Sequence, residues 1–201
     1  MTKKKKKGMY DLTAREYSKD QPDADLKRSF WHGSRELWRT ARQVILEAVN
    51  QDGTFLDVGC ASGALLRDLR AWAGQRGFTL IPYGIDIIEE LIIESKQNNP
   101  GFEPNFFAAD NKIFKPHIDF TYICMNFPDA CEKSVDKDKI VKKYLGYLKP
   151  QGRLILTLYD DRLTEIPRAQ HFCRDRGGKL GFIFAGQALV KDLTAVFWLE
   201  K

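Results

Sequence analysis

Cysteine and histidine are sparse in this 201-residue chain, and neither type clusters. Cys60, Cys124, Cys131 and Cys173 form no C-x-x-C pair and each falls near an apolar or small-residue segment, so free thiols in a reducing compartment are expected. His32, His117 and His171 are equally scattered. No spacing of the kind a zinc site needs is visible, and no structural metal is predicted. Long apolar runs are missing as well: nothing approaches the roughly 20 residues needed to cross a bilayer, which argues against a membrane partner. The lysine run at the start is followed by no apolar segment of signal-peptide type, so a cytoplasmic location is expected. Internal repeats are absent too.

Positive charge is plentiful but local. The formal net charge is +5, and Lys3 to Lys7 alone carry five positive charges, which leaves the remainder formally neutral. Such a run reads as a solvated terminus rather than a phosphate-gripping face.

With 43% hydrophobic and 29% charged residues the chain reads as soluble and globular, and its length suits one domain with extensions. Ser34 is a good N-cap for a helix with Leu37, Ala41, Val44, Ile45, Ala48 and Val49 on one face. Alternation follows. A strand at Thr54–Val58 leads to a helix over Ser62–Ala73, a strand at Thr79–Ile85, a helix over Ile88–Lys96 and a strand at Asn105–Ala109. A strand at Ile118–Met125, a helix over Asp136–Leu148, a strand at Arg153–Leu158 and a helix over Thr164–Arg174 come next. The last two apolar segments, Leu180–Phe184 and Thr194–Leu199, are separated by too few residues for a parallel crossover and should pair antiparallel. The fold expected is doubly wound α/β: a mostly parallel seven-stranded sheet with an antiparallel C-terminal strand and an N-terminal helical extension. Residues 1–52 would be tail and helical lid or extension, and 53–201 one globular unit.

Phe55-Leu56-Asp57-Val58-Gly59-Cys60-Ala61-Ser62-Gly63 runs an apolar strand through a small-residue turn into a helix. Gly59 and Gly63 allow dihedrals and close contacts that a side chain blocks, and the helix start presents unpaired N–H groups. Asp86, 23 residues after Gly63, ends the next strand in Tyr83-Gly84-Ile85-Asp86-Ile87 and suits a free ribose. Two further strands end in Ala109-Asp110-Asn111 and in Asn126-Phe127-Pro128.

These stretches resemble the class I S-adenosylmethionine (SAM)-dependent methyltransferases, over about Thr54 to Lys201, and Leu148-Lys149-Pro150-Gln151-Gly152-Arg153-Leu154 is similar to the family's approach to its fifth strand. The resemblance implies SAM as cofactor. It also implies that Asp57 lies near the methionine ammonium, that Gly59, Cys60, Ala61, Ser62 and Gly63 form the loop, and that Asp86 holds the ribose with Ile87 beside it. Asp110 and Asn111 would sit at the adenine, and Asn126 and Phe127 would face the methyl group. Ala61 departs from the pattern, which often has glycine there. Asp110 reads equally well as an ordinary helix cap.

Methyl transfer mainly requires the acceptor to be held in line and water kept out. Tyr10, Tyr17, Phe30, Trp31 and Trp38 make the N-terminal segment aromatic, and Tyr17, Trp31 and His32 are candidates for a lid or substrate contact. If the acceptor needs a base, His32, Tyr159 and Asp160 are the candidates by position. A nicotinamide dehydrogenase is disfavoured because the loop lacks G-x-G-x-x-G spacing. The near-neutral body favours a small-molecule acceptor over RNA bases, although Asn126-Phe127-Pro128 loosely resembles the Asn-Pro-Pro-aromatic motif of amino-group methylating enzymes. A non-catalytic interaction module of the same fold is the third reading.

Overall fold

The Ser34 hydroxyl accepts a hydrogen bond from the Leu37 N–H at 3.2 Å and so starts the first described helix, α1, Arg35–Gln43. A computed structural model describes residues 34–126, 137–159, 166–177, 179–185 and 193–201. Helix α1 tightens into a 3-10 turn over Val44–Ala48, then the chain enters β1, Gly53–Val58. The elements that follow are α2 (Ala64–Gln75), β2 (Leu80–Asp86), α3 (Glu89–Asn98), β3 (Phe106–Ala108), β4 (Phe120–Asn126) and α4 (Lys137–Gly146). The chain then forms β5 (Leu148–Tyr159), α5 (Ile166–Arg174), β6 (Lys179–Ala185) and β7 (Leu193–Glu200). No described helix is long and apolar enough to cross a membrane.

The strands form one seven-stranded sheet in the order β3-β2-β1-β4-β5-β7-β6. All pairings from β3 across to β5 are parallel, and β7 runs antiparallel to both β5 and β6. The order of strands reverses between β1 and β4, and in sheets of this kind the ligand crevice lies outside the carboxyl ends at such a reversal.

Strand side chains alternate between two buried layers, as the period of two requires. Phe55, Tyr122, Cys124, Ile155 and Val196 pack with Trp38, Ala41 and Ile45 of the first helical segment and with Leu66 and Leu69 of α2. Their neighbours Leu56, Ile123, Met125, Leu154, Leu156, Ala195 and Phe197 face the other way, onto Val141 and Tyr144 of α4 and Ala169 and Cys173 of α5. Helices therefore cover both faces, and near-continuous apolar strands are what two-sided burial demands.

Two expectations need correction. Trp38, read as part of an aromatic lid, is only 2% exposed; its ring packs in the core and its Nε1–H donates to Asp68 Oδ2 at 3.0 Å, tying α1 to α2. Residues 34–49 thus share the core of the sheet. The fifth strand begins at Leu148, not Arg153, because Leu148 already pairs with Phe120 and the irregular stretch after it is held at its end: Gln151 adopts φ 64°, its N–H donates to Lys201 O, and Gly152 O accepts from the Lys201 N–H.

Candidate functional site

Register brings the carboxyl ends of the strands into one row. Asp86 of β2 pairs with Ala108 of β3, Val58 of β1 lies between Ile85 and Met125, and Asn126 of β4 pairs with Thr157 of β5. The turn after β1 therefore opens beside Asp86 on one flank and Asn126 on the other.

That turn, Gly59–Gly63, holds three left-handed residues: Gly59 at φ 86°, Ala61 at 47° and Gly63 at 71°. A Cβ on Gly63 would stand 2.8 Å from both Ser95 Cβ and Asn99 Nδ2, so its lack of a side chain is required twice, by dihedral and by contact. Among the described residues a Cβ on Gly59 would meet nothing within 4 Å, which leaves room for a ligand against the backbone at the end of β1.

Every residue of the turn is anchored to the unit formed by β2 and α3. Gly59 and Cys60 donate their N–H groups to Ile85 O at 2.8 and 3.0 Å. Ala61 donates to Asp86 Oδ2 at 2.9 Å, Ser62 O accepts from Asn98 Nδ2 at 2.8 Å, and Gly63 O accepts from Asn99 Nδ2 at 3.1 Å. The two asparagines were missed in the sequence. An Asn pair before Pro100-Gly101 looks like an ordinary helix end, and no local pattern reveals partners 36 residues away.

The electrostatics are acidic. Asp57 is 6% exposed and accepts no hydrogen bond among the described residues, and burial, reinforced by the Asp86 charge, pushes its carboxyl up to about 7. Burial also raises Asp86, opposed by hydrogen bonds from the N–H groups of Ile88, Ala61 and Ile87. The Cys60 thiol is driven far above its ordinary range by burial and then by both carboxylates, so it is inert packing beneath Gly84. Two close carboxylates, one short of counter-charge, fit a cationic ligand and would repel a pyrophosphate.

The remaining candidates take varied places. Ile87 is 64% exposed beside Asp86. Asp110 accepts from the Lys112 N–H through Oδ1 at 2.8 Å and, through its carbonyl, from Ile113 and Phe114, which closes a turn; no helix follows it, so the helix-cap role offered as its alternative is not the one it fills. The Asn111 carbonyl takes hydrogen bonds from Lys143 Nζ at 2.6 Å and the Tyr144 hydroxyl at 3.0 Å. Asn126 is exposed at the end of β4, and its Oδ1 accepts from Thr157 Oγ1 at 2.9 Å. Ser62 is fully buried, backbone included, so it shapes the turn from within. Tyr159 closes β5 opposite Thr194. Its side chain, like Tyr17, Trp31, His32, Phe127 and Asp160, lies outside the described residues.

Among solved structures the chain is similar to the N-methyltransferase NodS from Bradyrhizobium japonicum WM9, at 16% identity and TM-score 0.61, covering 84% of this chain and 99% of that one. It is similar to the magnesium protoporphyrin IX methyltransferase from Synechocystis PCC 6803 with bound SAM, at 13% identity and TM-score 0.57 over 87% of this chain and 89% of that one. An rRNA methylase from Streptococcus thermophilus shares the fold too, with 14% identity, TM-score 0.55 and coverage of 85% and 99%. No curated protein sequence matches the chain. The family model described as "Methyltransferase domain" matches residues 30–196. That match runs from ahead of α1 into β7, spanning the whole anchored turn, and it places the chain in the methyltransferase-domain family, among the class I SAM-dependent enzymes.

Proposed function

We propose that the chain binds SAM across the carboxyl ends of β1, β2 and β4 and methylates a small-molecule acceptor. The observation that carries the cofactor reading is the pairing of an underneutralised buried Asp57 with Asp86 at an open glycine turn. When bound, the cofactor supplies an activated methyl group on a cationic sulfur. The chain's own residues bind and orient.

Asp57 provides the negative charge for the amino-acid ammonium, and the cation in turn draws its carboxyl back toward the ionised state. Asp86 keeps lone pairs beyond those used by Ala61 and Ile88, and these accept from two ribose hydroxyls. Ile87 gives an apolar face to the base, and Asp110 and Asn111 lie at the next strand end to meet its polar edge. Asn126, held by Thr157, faces the methyl in this reading, and Phe127, which follows it in sequence, is assigned to the same side on the family resemblance alone. His32, Tyr159 and Asp160 remain the candidate bases for an acceptor that must lose a proton.

The preference for a small acceptor rests on charge: outside Lys3–Lys7 the chain is formally neutral, whereas phosphate contacts demand a basic face. Methyl-labelled SAM incubated with the protein and with separate metabolite, RNA and protein fractions of a cell extract tests this. Label in the metabolite fraction is expected. Label accumulating in RNA alone would replace the small-molecule reading with base methylation, and label in none would favour a non-catalytic module.

A further inference from the structure

Asn98 and Asn99 close α3 far from the sequence of the glycine turn, yet both turn their amide nitrogens onto it. Asn99 is fully buried. Its Nδ2 is shared between Gly63 O at 3.1 Å and Ser95 O at 2.9 Å, while its Oδ1 is buried without a partner among the described residues. An unpaired buried acceptor is a net cost, and buried amides otherwise satisfy both ends. Packing alone would be served better by an apolar side chain of similar shape, so the donor end is what the site retains.

What the donors fix is the direction of peptide units. A trans peptide points its N–H opposite to its C=O. With Ser62 O drawn to Asn98, the Gly63 N–H aims at Cys60 O, where it lies at 2.9 Å. With Gly63 O drawn to Asn99, the Ala64 N–H, first of α2, points away from α3 and out of the turn. Left to itself, a stretch with Ala61 and Gly63 in the left-handed region has many alternative peptide orientations.

We infer that Asn98 and Asn99 are positioning residues of the cofactor site, acting through the Ser62 and Gly63 carbonyls to hold the glycine turn in its ligand-ready conformation. This rests on the cofactor reading above. The two residues act without touching the ligand, so their contribution is preorganisation, which appears as affinity.

Asn98 is only half buried, so its variants should fold and are the sharper test. Calorimetry with S-adenosylhomocysteine, run well below the melting temperature of each variant, should show about three- to tenfold weaker binding for Asn98→Ala. Asn98→Asp should be weaker still, because an acceptor then faces the Ser62 carbonyl. Asn98→Gln, which restores the donor on a longer arm, should recover most of the affinity. Wild-type affinity in Asn98→Ala and Asn98→Asp would overturn the inference and leave the cofactor reading standing. A loss that merely follows melting temperature, with Asn98→Gln as poor as Asn98→Ala, would reduce the pair to packing and overturn it as well. A wild-type chain that binds neither this compound nor SAM would overturn the cofactor reading and the inference together.

Discussion

Asp86 Oδ2 accepts the Ala61 N–H at 2.9 Å, so the acid that ends β2 and the middle of the glycine turn are mechanically one piece although 25 residues separate them. Asp86→Ala therefore removes more than a ligand contact. Loss of charge-assisted hydrogen bonds should weaken SAM binding by about 1 to 3 kcal/mol. The Ala61 and Ile88 N–H groups also lose their acceptor, so the melting temperature should fall, which a sequence reading of Asp86 as a ribose contact alone would not predict. Calorimetry and a thermal scan on the same variant separate the two effects, and unchanged affinity would remove Asp86 from the site.

Asp57 couples stability and binding to pH. Its folded carboxyl titrates at about 7 against an ordinary 3.8, so the folded state holds the proton more tightly than the unfolded chain does. Its stabilising contribution is therefore complete below about pH 4 and is lost as pH rises through about 7. Asp57→Asn should flatten this part of the stability profile and melt higher than wild type at pH 8. SAM affinity of the wild type should rise across the same window, because the ionised carboxylate is the form that attracts a cation. Asparagine at this position should bind weakly at every pH. A wild-type profile whose affinity falls from pH 5 to pH 7.5 would exclude Asp57 as the ammonium partner.

The features legible in the sequence are those with local causes. Ser34 announced its helix because capping is a property of one residue and the next few N–H groups, and the Gly59–Gly63 turn and Asp86 were visible because each strand must stop where the chain bends. The 3-10 turn at Val44–Ala48 was not, since apolar residues spaced three and four apart over a single turn fit either helix. Trp38 went to the core rather than a lid because a hydrogen bond to Asp68, 30 residues on, satisfied its indole and permitted burial. Asn98, Asn99 and the Thr157–Asn126 contact share that character. Their partners lie across a crossover or a strand, and only the assembled sheet brings them together.

Ala61 offers a test of strain. At φ 47° an alanine costs about 1 to 2 kcal/mol relative to glycine, whereas glycine loses about 0.4 to 1 kcal/mol through the entropy of the unfolded chain. Ala61→Gly should therefore be neutral to stabilising, by about 0 to 1.6 kcal/mol. A chemical denaturation curve measures it. Destabilisation beyond about 1 kcal/mol would mean that the Ala61 methyl contributes packing that outweighs its dihedral cost.

The two glycines of the turn should fail in different ways. Gly63→Ala meets a left-handed φ of 71° and places its Cβ 2.8 Å from Ser95 Cβ and Asn99 Nδ2, so strain of about 1 to 2 kcal/mol adds to overpacking of about 1 to 3 kcal/mol. At about 2 to 4 °C per kcal/mol for a chain of this size, its melting temperature should drop by roughly 4 to 20 °C. Gly59→Ala has the same kind of dihedral cost but open space around the new methyl, so its melting temperature should drop by only a few degrees. Affinity should rank the other way round when measured on folded protein: on the proposed cofactor reading the open space at Gly59 takes part of the ligand, and a methyl there should weaken SAM binding by tenfold or more, about 1.4 kcal/mol. Gly59→Ala binding with wild-type affinity would show that the ligand does not approach the end of β1, and the crevice would then have to be sought nearer β4 and β5.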